Sequence, residues 1–254
     1  MKRMGIFVYG VACYAIFFVT FLYAIGFLGN FLVPEPIDSA RQTPLLQALA
    51  ANLGLLLIFA LQHSVMARPA FKRWWTRWVP QAAERSTYVL FSSIALIVLF
   101  ALWQPMGGVI WNVESHTGRT VLYAAFAFGW ALLLLSTFLI NHFDLFGLRQ
   151  VWLAMLGKPY TPLRFGTPFL YRYVRHPLYV GWLFTFWAAP TMTVAHLVFA
   201  LASTAYILIA IRFEERDLVD AHPEYADYRR RVPMLIPSLK ARSSGERSMG
   251  GEVI

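Results

Sequence analysis

Charge is what this 254-residue chain has little of: 14% of its residues are Asp, Glu, Lys or Arg, against about a quarter in soluble domains. So few charges cannot cover a water-facing surface. With 58% hydrophobic and 17% aromatic residues, the chain is not intrinsically disordered either. Cysteine is scarcer still. The single Cys13 lies inside an apolar run, so no internal disulfide can form and a disulfide-stapled scaffold is excluded. There is no Gly-x-Gly, which removes the usual soluble nucleotide-binding turn, and no His-Glu-x-x-His or Cys-x-x-Cys, so no metal site is expected. Acidic residues number 13 against 22 basic ones, a formal charge of +9. In a soluble protein that balance would suggest nucleic acid, but here the basic residues fall between apolar runs, where phosphate-tracking charges would be pinned against a bilayer. No nucleic-acid partner is expected.

What the chain has is long apolar runs. Gly5 to Val33 is too long for a secretory h-region and reads as an uncleaved first helix. Further spans fall at about Leu45 to Gln62, Tyr88 to Trp103 and Thr120 to Ile140. Leu178 to Phe213 exceeds one crossing and is broken at Ala189-Pro190-Thr191, which predicts a helical hairpin. Lys and Arg number 2 at the N-terminus, 5 over 63–87, 5 over 141–177 and 8 over 212–254, leaving only Arg41 and Arg119 in the alternate loops. The positive-inside rule then puts both termini in the cytoplasm with an even number of crossings. The first hairpin arm, Leu178 to Ala189, is short, so five spans plus a re-entrant arm is the alternative. The expected fold is an all-α polytopic membrane bundle of five to six transmembrane segments with a C-terminal hairpin. It would form a single membrane domain over 1–254, with N-terminal helices over 1–140 and a disordered tail over 238–254. Membrane lipids are its expected surroundings, and no obligate protein partner is evident.

Polar residues at membrane depth are costly and point to function. Gln62-His63-Ser64 ends the second helix, Asn141-His142-Phe143-Asp144 ends the fourth, and Arg175-His176-Pro177 opens the hairpin. Each alone could be an interfacial cap; three histidine-bearing ends on one side suit a shared acid–base pocket. The basic loop from Arg68 to Arg85, with Trp74, Trp75 and Trp78, reads mainly as an interfacial anchor. Its last part, Arg85-Ser86-Thr87-Tyr88, is the stretch expected to reach a site. Pro177 suits the first turn of a helix, where free amides beside Arg175 could receive a carboxylate. Glu214 and Glu215 end the hairpin opposite them. Tyr225, Tyr228 and Arg229 share a helical face, which would serve a lid or an amphipathic surface helix.

These residues, RHPLYVG, then EERDL, then PEYADYRRRVPMLIP, resemble the C-terminal half of the isoprenylcysteine carboxyl methyltransferase and phospholipid methyltransferase superfamily, over about Tyr171 to Pro237. The stretches FALQHSVMARPAFKRWW, ERSTYVLFSS, ALWQP and NHFDLFGLRQVW resemble, more narrowly, the bacterial methanethiol S-methyltransferases, membrane enzymes that make dimethyl sulfide. The resemblance implies a cytoplasmic S-adenosylmethionine site within 141–237 and residence in the bacterial inner membrane. Arg175, His176 and the helix start at Pro177, with Tyr179 and Gly181 of the same motif, would hold the methionyl end. Glu214 or Glu215 would take ribose or ammonium, and Tyr225 or Tyr228 the adenine, with Arg229 also in the cofactor site. A small thiol works best as thiolate, so a base is wanted: His142, oriented by Asp144 or Asn141, or else His63. Arg85, Ser86 and Tyr88 would face the thiol. A phospholipid amine or prenylcysteine carboxylate as acceptor, or a non-catalytic protein of the same fold, are the alternatives.

Overall fold

A computed structural model describes residues 2–40 and 42–237. The tail expected to be disordered lies outside the described residues. Helix α1 spans Lys2–Gly29, α2 Leu45–Ala67, α3 Pro69–Trp75, α4 Glu84–Leu102 and α5 His116–Ile140. Short helices α6 (His142–Leu145) and α7 (Leu148–Met155) follow, then α8 (Pro177–Trp187), α9 (Val194–Ala221) and α10 (Tyr225–Arg231). Five segments, α1, α2, Gln81–Leu102, α5 and α9, are long and apolar enough to cross a bilayer. This is an all-α polytopic membrane protein. α4 packs between α1 and α2, α8 lies along α5, and α9 closes against both α2 and α8.

The hairpin breaks at Pro190 as expected, but its two arms differ. α8 has 11 residues, a rise of about 16 Å, roughly half the hydrocarbon thickness. A two-stranded ribbon makes up the difference: β1 (Val109–Asn112) from the α4–α5 loop pairs antiparallel with β2 (Thr191–Thr193), with Trp111 opposite Met192 and Asn112 opposite Thr191. Gly107 and Gly108, both at φ +64°, turn the chain into β1 and cap α9 through the Val194 amide. The ribbon was not visible in the hydropathy pattern. α8 reaches α5 through a glycine pair. A Cβ on Gly181 would stand 2.8 Å from the Gly129 carbonyl oxygen, and one on Gly129 would stand 2.9 Å from that of Gly181. Gly181 therefore serves close helix packing.

The end of the bundle opposite the basic loops is tied by one buried ion pair. His196, fully buried at the start of α9, places Nδ1 3.0 Å from an Asp38 carboxylate oxygen and Nε2 3.0 Å from the Phe186 carbonyl. A carbonyl oxygen can only accept, and an ionised carboxylate only accepts, so both nitrogens donate and the ring is an imidazolium. Asp38 also accepts from Asn30 and Thr193. Burial alone would raise its pKa, but His196, Thr193 and Asn30 together hold it below the usual carboxylate value. The pair joins the α1–α2 loop to α8 and to β2. Asp38→Ala would strand a buried cation, and a loss of about 3–5 kcal/mol is expected. Thermal unfolding in detergent reads it; an unchanged midpoint would show that the pair carries no stability.

Candidate active site

At the basic end the chain after α10 returns to the start of α8. The Arg175 amide donates to the Pro233 carbonyl (2.9 Å) and the His176 amide to Met234 (3.1 Å), so the Arg-His pair is held as a short extended bridge before Pro177 begins the helix. Both side chains turn to Glu215. Its Oε1 accepts from Arg175 Nε at 2.6 Å, His176 Nε2 at 3.0 Å and the Tyr225 hydroxyl at 3.4 Å. Arg175 Nη1 adds bonds to the Arg229 and Val232 carbonyls at 2.9 and 2.5 Å. Glu214, one position back and so about 100° around the helix, accepts from the Tyr179 hydroxyl at 2.8 Å. The predicted acids and bases of the hairpin do meet.

Tyr225 and Tyr228 are buried around Phe165 rather than presented on an open face. The Tyr228 hydroxyl donates to the Tyr171 carbonyl at 2.5 Å, and burial pushes its pKa up to about 12. It stays neutral at any physiological pH. Arg229 is exposed on the same helix.

A second group forms between α2, α4 and α9. The Tyr88 hydroxyl lies 2.8 Å from His63 Nε2, and Ser92 holds the other ring nitrogen at 3.1 Å. Ser64 and Tyr206 bond at 3.0 Å beside them. Tyr206 stands on α9 about two turns before Glu214, so this group and the hairpin acids share a helix. Arg85 Nε donates to the Leu145 carbonyl at 2.9 Å, and its guanidinium lies 5.5 Å from the Tyr88 ring centre. Ser86 is fully buried against Gly147, whose φ of +88° and lack of a side chain allow the contact.

His142 makes no hydrogen bond to either group and meets the Tyr88 cluster only through the Phe146 ring among the described residues. Its Nδ1 is 2.8 Å from the Thr137 hydroxyl and its Nε2 2.8 Å from the Tyr14 hydroxyl, with the ring stacked on Phe138. Thr137 spends its proton on the Leu134 carbonyl at 2.7 Å. It must therefore accept from Nδ1, and Tyr14 donates to the Nε2 lone pair. The orienting role expected of Asp144 or Asn141 falls to Thr137 and Tyr14. Asp144 instead pairs with Arg149 at 2.8 Å, and Asn141 caps α6 by accepting from the Asp144 amide at 3.0 Å. The spacing His-x-Asp suggested contact, but α6 is one turn long and turns the carboxylate toward α7.

The chain has relatives that it matches over nearly its whole length. It is 57% identical over 244 residues to a methanethiol S-methyltransferase of Crocosphaera subtropica, covering 96% of each chain. It is 56% identical over 238 residues to one of Mycobacterium tuberculosis, covering 93% of this chain and 98% of that one. The chain belongs to the methanethiol S-methyltransferase family. Nurim of Sus scrofa is a more distant relative, 32% identical over 191 residues and 72% of each chain. No family model and no solved structure matches.

In this member of the methanethiol S-methyltransferase family, sequence reasoning missed Tyr14, Thr137, Tyr171 and Tyr206. Each lies in a run that reads as plain membrane helix or loop, and only packing reveals its partner. His142 yields a pH prediction. It is 5% exposed, and burial holds its pKa below the ordinary 6.5. The unfolded chain takes up a proton near that value that the folded chain refuses, so the stability due to neutral His142 falls as pH drops below about 6.5. Unfolding midpoints from pH 7 to 5 should fall less steeply in His142→Asn, and equal slopes would contradict the assignment.

Proposed function

We propose that this protein transfers the methyl group of S-adenosylmethionine to methanethiol, releasing dimethyl sulfide, at the cytoplasmic face of the bacterial inner membrane. The near full-length identity with enzymes named for that thiol carries the reading. The lysine and arginine distribution supports the orientation, since the hairpin acids lie at the end that carries the basic loops over 63–87 and 141–177.

The residues suit the cofactor by their remaining hydrogen-bonding capacity. Among the described residues, Oε2 of Glu215 and Oε1 of Glu214 accept no bond, and Nη2 of Arg175 donates none. Two carboxylate oxygens and a guanidinium edge are thus left for ribose or ammonium and for a carboxylate. When bound, S-adenosylmethionine supplies an electrophilic methyl on a cationic sulfur. His176 and Pro177 fix the helix start beside Arg175, and Tyr179 holds Glu214. Tyr225 and Tyr228, buried against Phe165, would back the adenine end from behind, with Arg229 exposed beside them. Residues 141–237 would thus hold the cofactor, within a single membrane domain. The His63 and Tyr88 group lies where the thiol would be held, with Arg85 above it and Ser86 fixing the wall. His142, with Asn141 and Asp144, stands one layer out, and any proton it takes from a thiol passes through the Tyr14 hydroxyl.

Purified protein with labelled S-adenosylmethionine and methanethiol is expected to release volatile labelled dimethyl sulfide. Glu214→Ala should weaken cofactor binding at least tenfold in calorimetric titration, about the worth of one charge-assisted bond. Label in the lipid extract would replace the thiol with a lipid acceptor, and no binding at millimolar cofactor would make the protein non-catalytic.

A further inference from the structure

The Arg85 guanidinium is half-buried and has no carboxylate within ion-pair distance among the described residues. Its only hydrogen bond there, from Nε to Leu145, leaves both terminal nitrogens unspent. Arg68, Arg149 and Arg175 each have an acid partner. The charge of Arg85 instead reaches His63 from α2, Lys72 from α3, Tyr88 from its own helix and Tyr160 from the segment after α7. Lys72, whose pKa burial and then Arg85 hold below the ordinary lysine value, adds a second cation. The acids in reach are Glu84 and Asp217, which act on Lys72, Asp144, already paired with Arg149, and Glu214, whose charge acts on Tyr88 with the opposite sign to that of Arg85. Tyr88 therefore feels both the Arg85 cation, 5.5 Å from its ring centre, and the Glu214 anion.

We infer that Arg85, with the Tyr88 hydroxyl, binds the acceptor as a thiolate, so that the site selects the deprotonated thiol instead of removing its proton with a general base. This rests on the function proposed above. The two charges match the two reactants: thiolate beside Arg85 and sulfonium beside Glu214. The thiol proton leaves to water on binding. The thiolate sulfur then forms a bond to the methyl carbon as the carbon–sulfonium bond breaks, its electron pair staying on the departing sulfur, and both products are neutral thioethers. The histidines are poorly placed for the proton. His142 has its lone pair filled by Tyr14, and a protonated His63 would face Arg85.

A cation at this distance lowers the pKa of an anionic group by about 1–3 units. Each unit raises the thiolate fraction about tenfold, while a nucleophilicity slope of about 0.4–0.5, as for thiolate attack on sulfur, takes back about threefold. The net gain at neutral pH is about threefold per unit.

The test is the pH dependence of kcat at saturating methanethiol in the full-length protein, since kcat titrates groups of the bound complex, with cofactor affinity measured in parallel. Arg85→Gln is expected to move the acidic limb up by about 1–3 units and to lower the rate at pH 7 by about 3- to 30-fold. The deficit should close and then reverse at high pH, where the variant's more basic thiolate is the better nucleophile, with cofactor affinity unchanged. Arg85→Lys keeps the charge and should keep the wild-type limb, which decides the matter if the glutamine variant fails to fold. Loss by one factor at every pH, or equal shifts in both variants, would overturn the thiolate site while leaving the methyltransferase reading intact. No dimethyl sulfide from the unsubstituted protein at any pH would overturn both.

Discussion

One carboxylate oxygen, Oε1 of Glu215, organises the basic end. It receives three donors from two segments remote in sequence: Arg175 and His176 at the head of α8, and Tyr225 on α10. A buried carboxylate without partners is expensive, so the segments bearing its donors are drawn to it. Arg175 then passes the constraint on. Its Nη1 holds the carbonyls at Arg229 and Val232, and the extended bridge at Pro233 and Met234 follows. The same cluster fixes Glu214 by helix geometry, and Glu214 fixes Tyr179. An arrangement cross-linked by this many bonds is rigid, which is what a site that works by positioning needs.

The opposite end repeats the device with the charges exchanged. There a buried imidazolium, His196, gathers Asp38 and the Phe186 carbonyl. α8 is strung between the two clusters, His176 belonging to one and Phe186 to the other, while the Gly129–Gly181 contact presses its middle onto α5. An 11-residue helix too short to span hydrocarbon is thereby held in register at three points. Neither cluster would be stable in lipid without the other elements around it, since each joins segments that cannot satisfy their polar groups alone.

The long helices were legible because hydropathy and the sidedness of lysine and arginine report spans directly. Leu45–Ala67 differs from its expected bounds by one extra turn and a half, the polar Gln62-His63-Ser64 being inside the helix and not past its end. The hairpin and its acids were legible for a different reason: Pro190 breaks a run too long for one crossing, and folding it back brings Glu214 and Glu215 to Arg175. Partners within a run of uniform hydropathy were not legible. Tyr14 meets His142 across 128 positions, and Asp38 meets His196 across 158. No periodicity encodes such pairs, because an apolar helix offers every face equally to lipid and to protein. Asp144 shows the opposite error: nearness in sequence suggested a contact that a single helical turn redirects to Arg149.

For the proposed reaction, this placement resolves a conflict of solubility. A neutral alkyl thiol partitions into hydrocarbon, whereas its thiolate and a cationic cofactor belong in water. A site deep in the bilayer would receive the thiol and starve of both ions, and a site in solution would forgo the reservoir of thiol in the lipid. The basic end of the bundle lies where both supplies meet. There, the uncompensated Arg85 favours the thiolate, and the tyrosines about Glu214 keep bulk water from the sulfonium. A reaction that destroys two opposite charges gains from a dry site only if something first pays to bring the ions in. Fixed charges of the right sign, Arg85 and Glu214, would do so without mobile solvent, and they remain when the neutral products leave.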